Sequence, residues 1–305
     1  MKFDRWTSPW SRTWQYRIFK AHHTQLNDMW WAHVVGSKAA SKLASTYGAA
    51  APTHSAFASA KHTTRGALSL GDWYEHYTTF DNWVHLSCAV SLCAYFEVYL
   101  SRIVALALRS DPGVLLSSSR SVDGVKLLKA ASLPDVAAYV MSVTKGSWPN
   151  RIAAYERIFG MVPSYFQSQA TELDNLRRLR NSVGHAFGRV GDEDQKFPAY
   201  AADPNMKGNL AKEVIEQAHQ PSSFQRLSDV RLKKWLGVVE NSVNSIEEHL
   251  RINHIGSFEV LQAYHFWNKA HNIGHQSPHG SLKSMFEHRP SLEYCKQAIT
   301  YYRRA

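Results

Sequence analysis

Apolar residues recur at helical spacing through most of this chain. The clearest run is Leu232, Trp235, Leu236, Val239, Val243, Ile246 and Leu250, with nearly every polar residue on the opposite face. No comparable series of alternating apolar and polar residues marks a strand. A chain patterned in this way buries its stripes by packing helix against helix, so the expected class is all-α. Apolar residues make up 44% of the 305 positions and charged residues 20%, with ten Trp, fourteen Tyr and thirteen Phe among them. That is enough apolar surface for a real core, and it excludes a disordered chain.

Turn and cap signals divide the pattern into elements. An aromatic, basic helix is expected over about residues 8–43, followed by a small, polar stretch with Gly and Pro that reads as a loop or linker. A long helix follows over 70–109, ended by Asp111, Pro112 and Gly113 because Pro cannot continue it. A shorter helix is expected from Leu133 and Pro134 to Val143. Asn150 is the expected N-cap of RIAAYERIF and Gly160 its C-terminal stop. Pro163 and Ser164 open a helix whose stripe is Leu173, Leu176, Leu179 and Val183. After a polar loop, the last bundle helix begins somewhere in 222–229, and residues 257–305 form two or three short helices broken around 274–280 and at Pro290. Three segments result: residues 1–71, a basic, aromatic-rich helical extension with its linker; residues 72–254, a four- to five-helix bundle; and residues 255–305, a helical C-terminal extension.

The most apolar stretch, residues 86–108, is long enough for a membrane span, yet it carries Glu97 and Arg102 near its middle. Each such charge costs about 2.5–3.5 kcal/mol on insertion scales. A central bundle helix is therefore expected rather than a membrane anchor. The opening MKFDRWTSPW has no apolar run after its charges, so no secretory signal is expected. Three cysteines are too few for a disulfide framework or a zinc cage, which fits a reducing cytoplasm. The net charge of +10 is uneven: residues 1–75 carry +5, residues 76–255 +2 and residues 256–305 +3. Basic flanks favour an anionic partner such as RNA, DNA or acidic lipid.

The segment LDNLRRLRNSVGHAFGR, residues 173–189, holds the candidate chemistry. Arg180 is followed directly by Asn181 and, after Ser182, Val183 and Gly184, by His185 at the end of an amphipathic helix. Here the chain resembles the HEPN superfamily of helical-bundle ribonucleases, whose signature is Arg, four to six residues, then His, often with a polar residue after the Arg. The helix containing SLCAYFEVYLSRI, the RIAAYERIFG segment and the closing helix SDVRLKKWLGVVENSVNSIEEHL fit the same resemblance, which covers about residues 76–254. Spacing alone carries little, since Arg17 with His22 or His23, and Arg178 with His185, satisfy it too. The order of the flanking helices and the Asn beside Arg180 carry the weight.

The resemblance implies an endoribonuclease that needs no metal or other cofactor, with a family context of toxins and anti-phage or abortive-infection effectors. RNA is the implied partner, with a homodimer whose paired motifs converge and an antitoxin or regulatory protein as further partners. The residue chemistry is compatible with this. Imidazole titrates near neutral pH, so His185 can give or take a proton. Arg180 stays charged and can fork two donors onto phosphate. Asn181 can orient the imidazole or bond the ribose. Attack by the ribose 2′-OH would leave a 2′,3′-cyclic phosphate and a 5′-OH, and would spare DNA. Arg177, Arg178 and Arg189 are weaker candidates for RNA contacts, and Glu97 a candidate supporting carboxylate, although an ion pair inside the bundle is the plainer expectation for it. On a straight helix Arg180 and His185 lie about 140° apart. Either the helix breaks at Gly184, or groups from a second subunit complete the site.

An alternative function stays open: an inactive bundle that binds RNA or a protein. His271, His275 and His279 recur every four residues, but Gly274 and Pro278 interrupt the helix that would align them, so a His-rich loop is expected rather than a metal site. His22, His23, Trp30 and Trp31 could stack on bases, but their spacing suits core packing. The chain has no nucleophile elbow, phosphate loop or dinucleotide fingerprint.

Overall fold

The computed structural model describes residues 3–58, 67–186, 226–270 and 290–305. Among these residues the regular structure is helical, and the only extended pairing is an isolated antiparallel bridge between Pro52 and Ser69. The all-α expectation therefore holds. In chain order the helices are α1 Trp14–Ala44, α2 Thr53–Ala56, α3 Leu70–Ser110, α4 Gly124–Lys129, α5 Ala137–Thr144, α6 Trp148–Phe159, α7 Ser164–Ser168, α8 Ala170–Ala186, α9 Asp229–Leu250, α10 Phe258–Ala270 and α11 Leu292–Arg304. A 3-10 turn, Pro112–Leu116, follows α3, and a π-turn, Arg251–Ile255, follows α9.

Several boundaries differ from those expected, each for a local reason. Asn150 does not cap α6: the helix begins at Trp148 after an extended Ser147, with Pro149 in its first turn. Its first N–H is satisfied from another helix, since Asp174 Oδ1 accepts from Trp148 N at 3.1 Å. Gly160 does end α6, at φ +76°, where a residue with a Cβ would be strained. Helix α5 starts at Ala137 rather than beside Pro134, with Asp135 accepting from Ala137 N at 2.9 Å. The helix opened by Pro163 is two helices, α7 and α8, separated at Gln169. Helix α4 was not anticipated, because six residues are too few for a periodic signal; Asp123 caps it by accepting from Val125 N at 3.0 Å.

The chain divides into two compact units. The first comprises Met1–His23, Ala94–Asp174 and Gly237–Ala305. Its aromatic centre has Phe96 and Trp148 stacked at 5.0 Å, with Phe166 edge-on to both at 6.4 and 6.0 Å. All three rings are essentially inaccessible to solvent. Such pairs add about 0.5–1.5 kcal/mol each beyond the area they bury. Helix α5 packs on α6, and α10 packs on α4 and α11.

The two ends of the chain meet in this unit through buried Arg5. Its guanidinium donates to Ser110 O at 2.6 Å, Ser110 Oγ at 2.8 Å, Ile255 O at 3.0 Å and Asp123 Oδ1 at 3.0 Å. Arg5 O in turn accepts from Ser257 N at 2.9 Å. The start of α1 is held by buried Glu247, which accepts from Thr13 N at 2.5 Å and from Thr13 Oγ1 at 2.8 Å. Tyr99 donates to the same carboxylate at 3.1 Å.

The second unit comprises Thr24–Cys93 and Asn175–Leu236. Leu26, Leu70, Leu86, Leu92, Leu176, Leu179, Leu232 and Trp235 are among its buried apolar side chains. Asn82 Oδ1 accepts from Leu227 N at 3.0 Å, fixing the approach to α9. Among the described residues α3 alone is long and apolar enough to cross a membrane. Much of its apolar surface, including Leu92, Phe96, Leu100, Ile103 and Ala107, is already covered by protein. Cys88, Cys93 and Cys295 are buried and form no disulfide.

Candidate functional site

Helix α8 carries the motif. Its stripe of Leu173, Leu176 and Leu179 is buried at helical spacing, which fixes the rotation of the helix about its axis. Leu173 N donates to Gln169 O at 2.9 Å at its start, and Asp174 is the buried cap acceptor for α6. Arg177, Arg180, Asn181 and Val183 are half-buried, and Arg178 is exposed. Ser182 Oγ donates back to Leu179 O at 2.8 Å, a local bond that uses its hydroxyl within the helix.

Of the two geometries open from the sequence, the helix does not take the break: α8 runs through Gly184 to Ala186. Positions 181 and 185 therefore lie one turn apart on one face, and position 180 lies about 140° from 185 around the axis. Arg180 flanks the apolar stripe, about 40° from Leu176 by the same geometry. The side chain of His185 lies outside the described residues, as do Arg189, the acidic run Asp192, Glu193 and Asp194, and His271, His275 and His279.

Glu97 on α3 has a defined partner, since Arg151 Nη1 of α6 donates to its Oε1 at 2.9 Å. Arg151 is buried, lies over the Trp148 ring at 4.6 Å, and also donates from Nε to Gly146 O at 3.0 Å. This is the ion pair that the sequence made the plainer expectation, and it belongs to the first unit.

The first unit also holds a buried histidine network. His254 Nδ1 lies 3.0 Å from Asp111 Oδ2, and Asp111 further accepts from Ser119 Oγ and Arg120 N at 2.7 Å each. Burial acts to raise the Asp111 carboxyl, but these bonds outweigh it and hold the group below its ordinary value. Next to His254, at 5.7 Å between ring centres, His249 faces Tyr155, whose hydroxyl is 2.7 Å from His249 Nδ1. Burial drives the Tyr155 hydroxyl well above its usual range, so it remains the donor. Burial, reinforced by His254, pushes His249 down to about 4, so this imidazole is neutral and accepts. Asp111, His254, His249 and Tyr155 are all buried. The network suits holding helices together rather than exchanging protons with a substrate.

The second unit holds a further cluster that the sequence pattern does not reveal. His33 of α1 and Asp81 and His85 of α3 offer ligand atoms within 4.8 Å of one another. The available signal was the four-residue spacing of Asp81 and His85, which places both on one helix face. The partner residues, 33 and 229, are too distant in sequence to have been joined to it.

No protein-family model, curated protein or solved structure matches the chain.

Proposed function

We propose that this chain is an endoribonuclease of HEPN type. His185 serves in proton transfer, Arg180 neutralises charge building on the phosphoryl oxygens, and Asn181 orients the imidazole or the ribose. In this reaction the 2′-oxygen loses its proton to a base and attacks phosphorus. The bond from phosphorus to the 5′-oxygen breaks, and an acid returns a proton to that oxygen. The products are a 2′,3′-cyclic phosphate and a 5′-OH, and the reaction needs no metal.

The observation that supports this reading is the unbroken α8, in which positions 181 and 185 lie one turn apart. A single imidazole cannot act as base and acid in the same step, and Arg180 is rotated away from position 185. A homodimer with two motifs facing one phosphodiester supplies both needs. Arg177 and Arg178 on α8, with Arg189 beyond it, add positive charge for the RNA backbone. The chain would act in the cytoplasm, apart from membranes, as a toxin or anti-phage effector restrained by an antitoxin or regulatory protein.

A second reading, an inactive module that binds RNA or protein, draws on one observation: Arg180 is half-buried beside the apolar stripe. Expression in a bacterial host separates the two. The nuclease reading expects growth arrest that Arg180→Ala and His185→Ala each abolish while the protein stays folded. Arrest unchanged by both substitutions contradicts the assigned site.

A further inference from the structure

We propose that His33, Asp81, His85 and Asp229 form a binding site for one divalent transition-metal ion of the Zn²⁺ class, clipping α1, α3 and α9 together within the second unit. The inference stands apart from the ribonuclease reading and does not require it.

The geometry begins with His85. Its Nδ1 lies 2.7 Å from the backbone oxygen of Asp81, one turn earlier on α3. A carbonyl can only accept, so Nδ1 carries the hydrogen and the lone pair of the neutral ring is on Nε2. This is the arrangement in which metal-ligating histidines are held, with the outer nitrogen donating to a carbonyl and the inner one aimed at the ion. His85 Nε2 faces Asp229 Oδ1 at 2.5 Å, in the first turn of α9. At that distance the two atoms are joined by a hydrogen, so an ion bound at Nε2 takes the place of that hydrogen and moves Asp229 Oδ1 outward to about 3.3–3.5 Å from the nitrogen.

The remaining ligands converge on the same place. His33 Nε2 is 2.8 Å from Asp81 Oδ1. The ligand atoms of His33, Asp81 and His85 lie within 4.8 Å of one another. Ligands about 2.0–2.2 Å from a tetrahedral ion stand roughly 3.3–3.5 Å apart, so small side-chain rotations close the set. Ser37 Oγ, 3.4 Å from Asp81 Oδ1, supports the carboxylate from outside.

Burial is graded in the way a site with an entry path requires. The side chain of His85 is 4% exposed and that of His33 13%, while Asp81 and Asp229 are 35% and 48% exposed. The imidazoles form the floor and the carboxylates face solvent. Two imidazole nitrogens and two carboxylates suit Zn²⁺ and related ions, whereas Ca²⁺ and Mg²⁺ prefer all-oxygen shells.

The test uses the tag-free full chain, stripped with chelator and returned to chelator-free buffer, titrated with Zn²⁺ by calorimetry and with Co²⁺ by visible absorption. The expected result is one tight site per chain, a four-coordinate Co²⁺ spectrum, and at least a tenfold loss of affinity in His33→Ala and in Asp229→Asn. Replacing His271, His275 and His279 together by Ala is expected to leave that affinity unchanged. Absence of saturable one-to-one binding overturns the proposal, because the cluster is then a protonated His–Asp network. Equal affinity in wild type and His33→Ala overturns it as well. Should the variants fail to fold, a six-coordinate Co²⁺ spectrum of the wild type, or none, is sufficient to overturn it.

Discussion

The neutral His249 makes a quantitative prediction about acid stability. In the folded chain burial and the neighbouring His254 hold this imidazole down to about 4, while its ordinary value is 6.5. A group depressed in this way contributes stability that is fully present above pH 6.5 and is lost as pH falls through 4. Each unit of difference corresponds to 1.36 kcal/mol, so by pH 4, where half of the folded rings are charged, the loss is about 3 kcal/mol. The perturbation is His249→Gln, which removes the titration while keeping an acceptor for the Tyr155 hydroxyl. Urea unfolding followed by circular dichroism, for both proteins at intervals from about pH 7.5 to pH 4, gives the difference in stability. Glu259, which burial pushes up to about 8, has the opposite dependence: its contribution is full below pH 4.5 and lost as pH rises through 8. It is common to both proteins and drops out of the difference. Wild type is expected to lose about 3 kcal/mol more than the variant across this range. A flat difference refutes the reasoning, because the ring would then be as easily charged inside the protein as outside it.

Two further substitutions probe the first unit. Arg151→Met removes the guanidinium paired with Glu97 and leaves that partly buried carboxylate without its bond at 2.9 Å. A loss of about 3 kcal/mol in urea unfolding is expected, with Glu97→Gln in the same chain recovering part of it. Gly256→Ala places a Cβ 2.5 Å from Arg5 O and 2.7 Å from the Trp6 backbone, at φ +53°. Both obstacles are main chain and cannot swing aside, so a loss above about 2 kcal/mol is expected, read as a lowered thermal midpoint.

The elements legible in the sequence were those whose period runs long enough to outvote local noise. Helix α3 ends within one residue of its expected boundary, and α9 begins inside its expected window, because each repeats its apolar stripe over many turns. Gly160 was legible because a positive φ calls for glycine. The cap of α6 was not, because its acceptor, Asp174, lies 26 residues away in sequence. Helices α2 and α4 escaped for lack of length. At the motif, the amphipathic stripe placed Arg180, Asn181 and His185 on one helix, but whether Gly184 interrupted it depended on packing. Glu97 could be assigned an ion pair in kind, while Arg151 as its partner required the fold. The His33, Asp81, His85 and Asp229 cluster is assembled from three helices, and only one pair of its members is close in sequence.

The central claim is tested most directly by incubating purified wild type and His185→Ala with total tRNA and messenger RNA in excess EDTA. Both proteins are confirmed as folded by circular dichroism in the same buffer, and the product ends are analysed. The account predicts cleavage by wild type alone, leaving 2′,3′-cyclic phosphate and 5′-OH ends. Equal cleavage by both proteins, or none by a folded wild-type dimer, would contradict it.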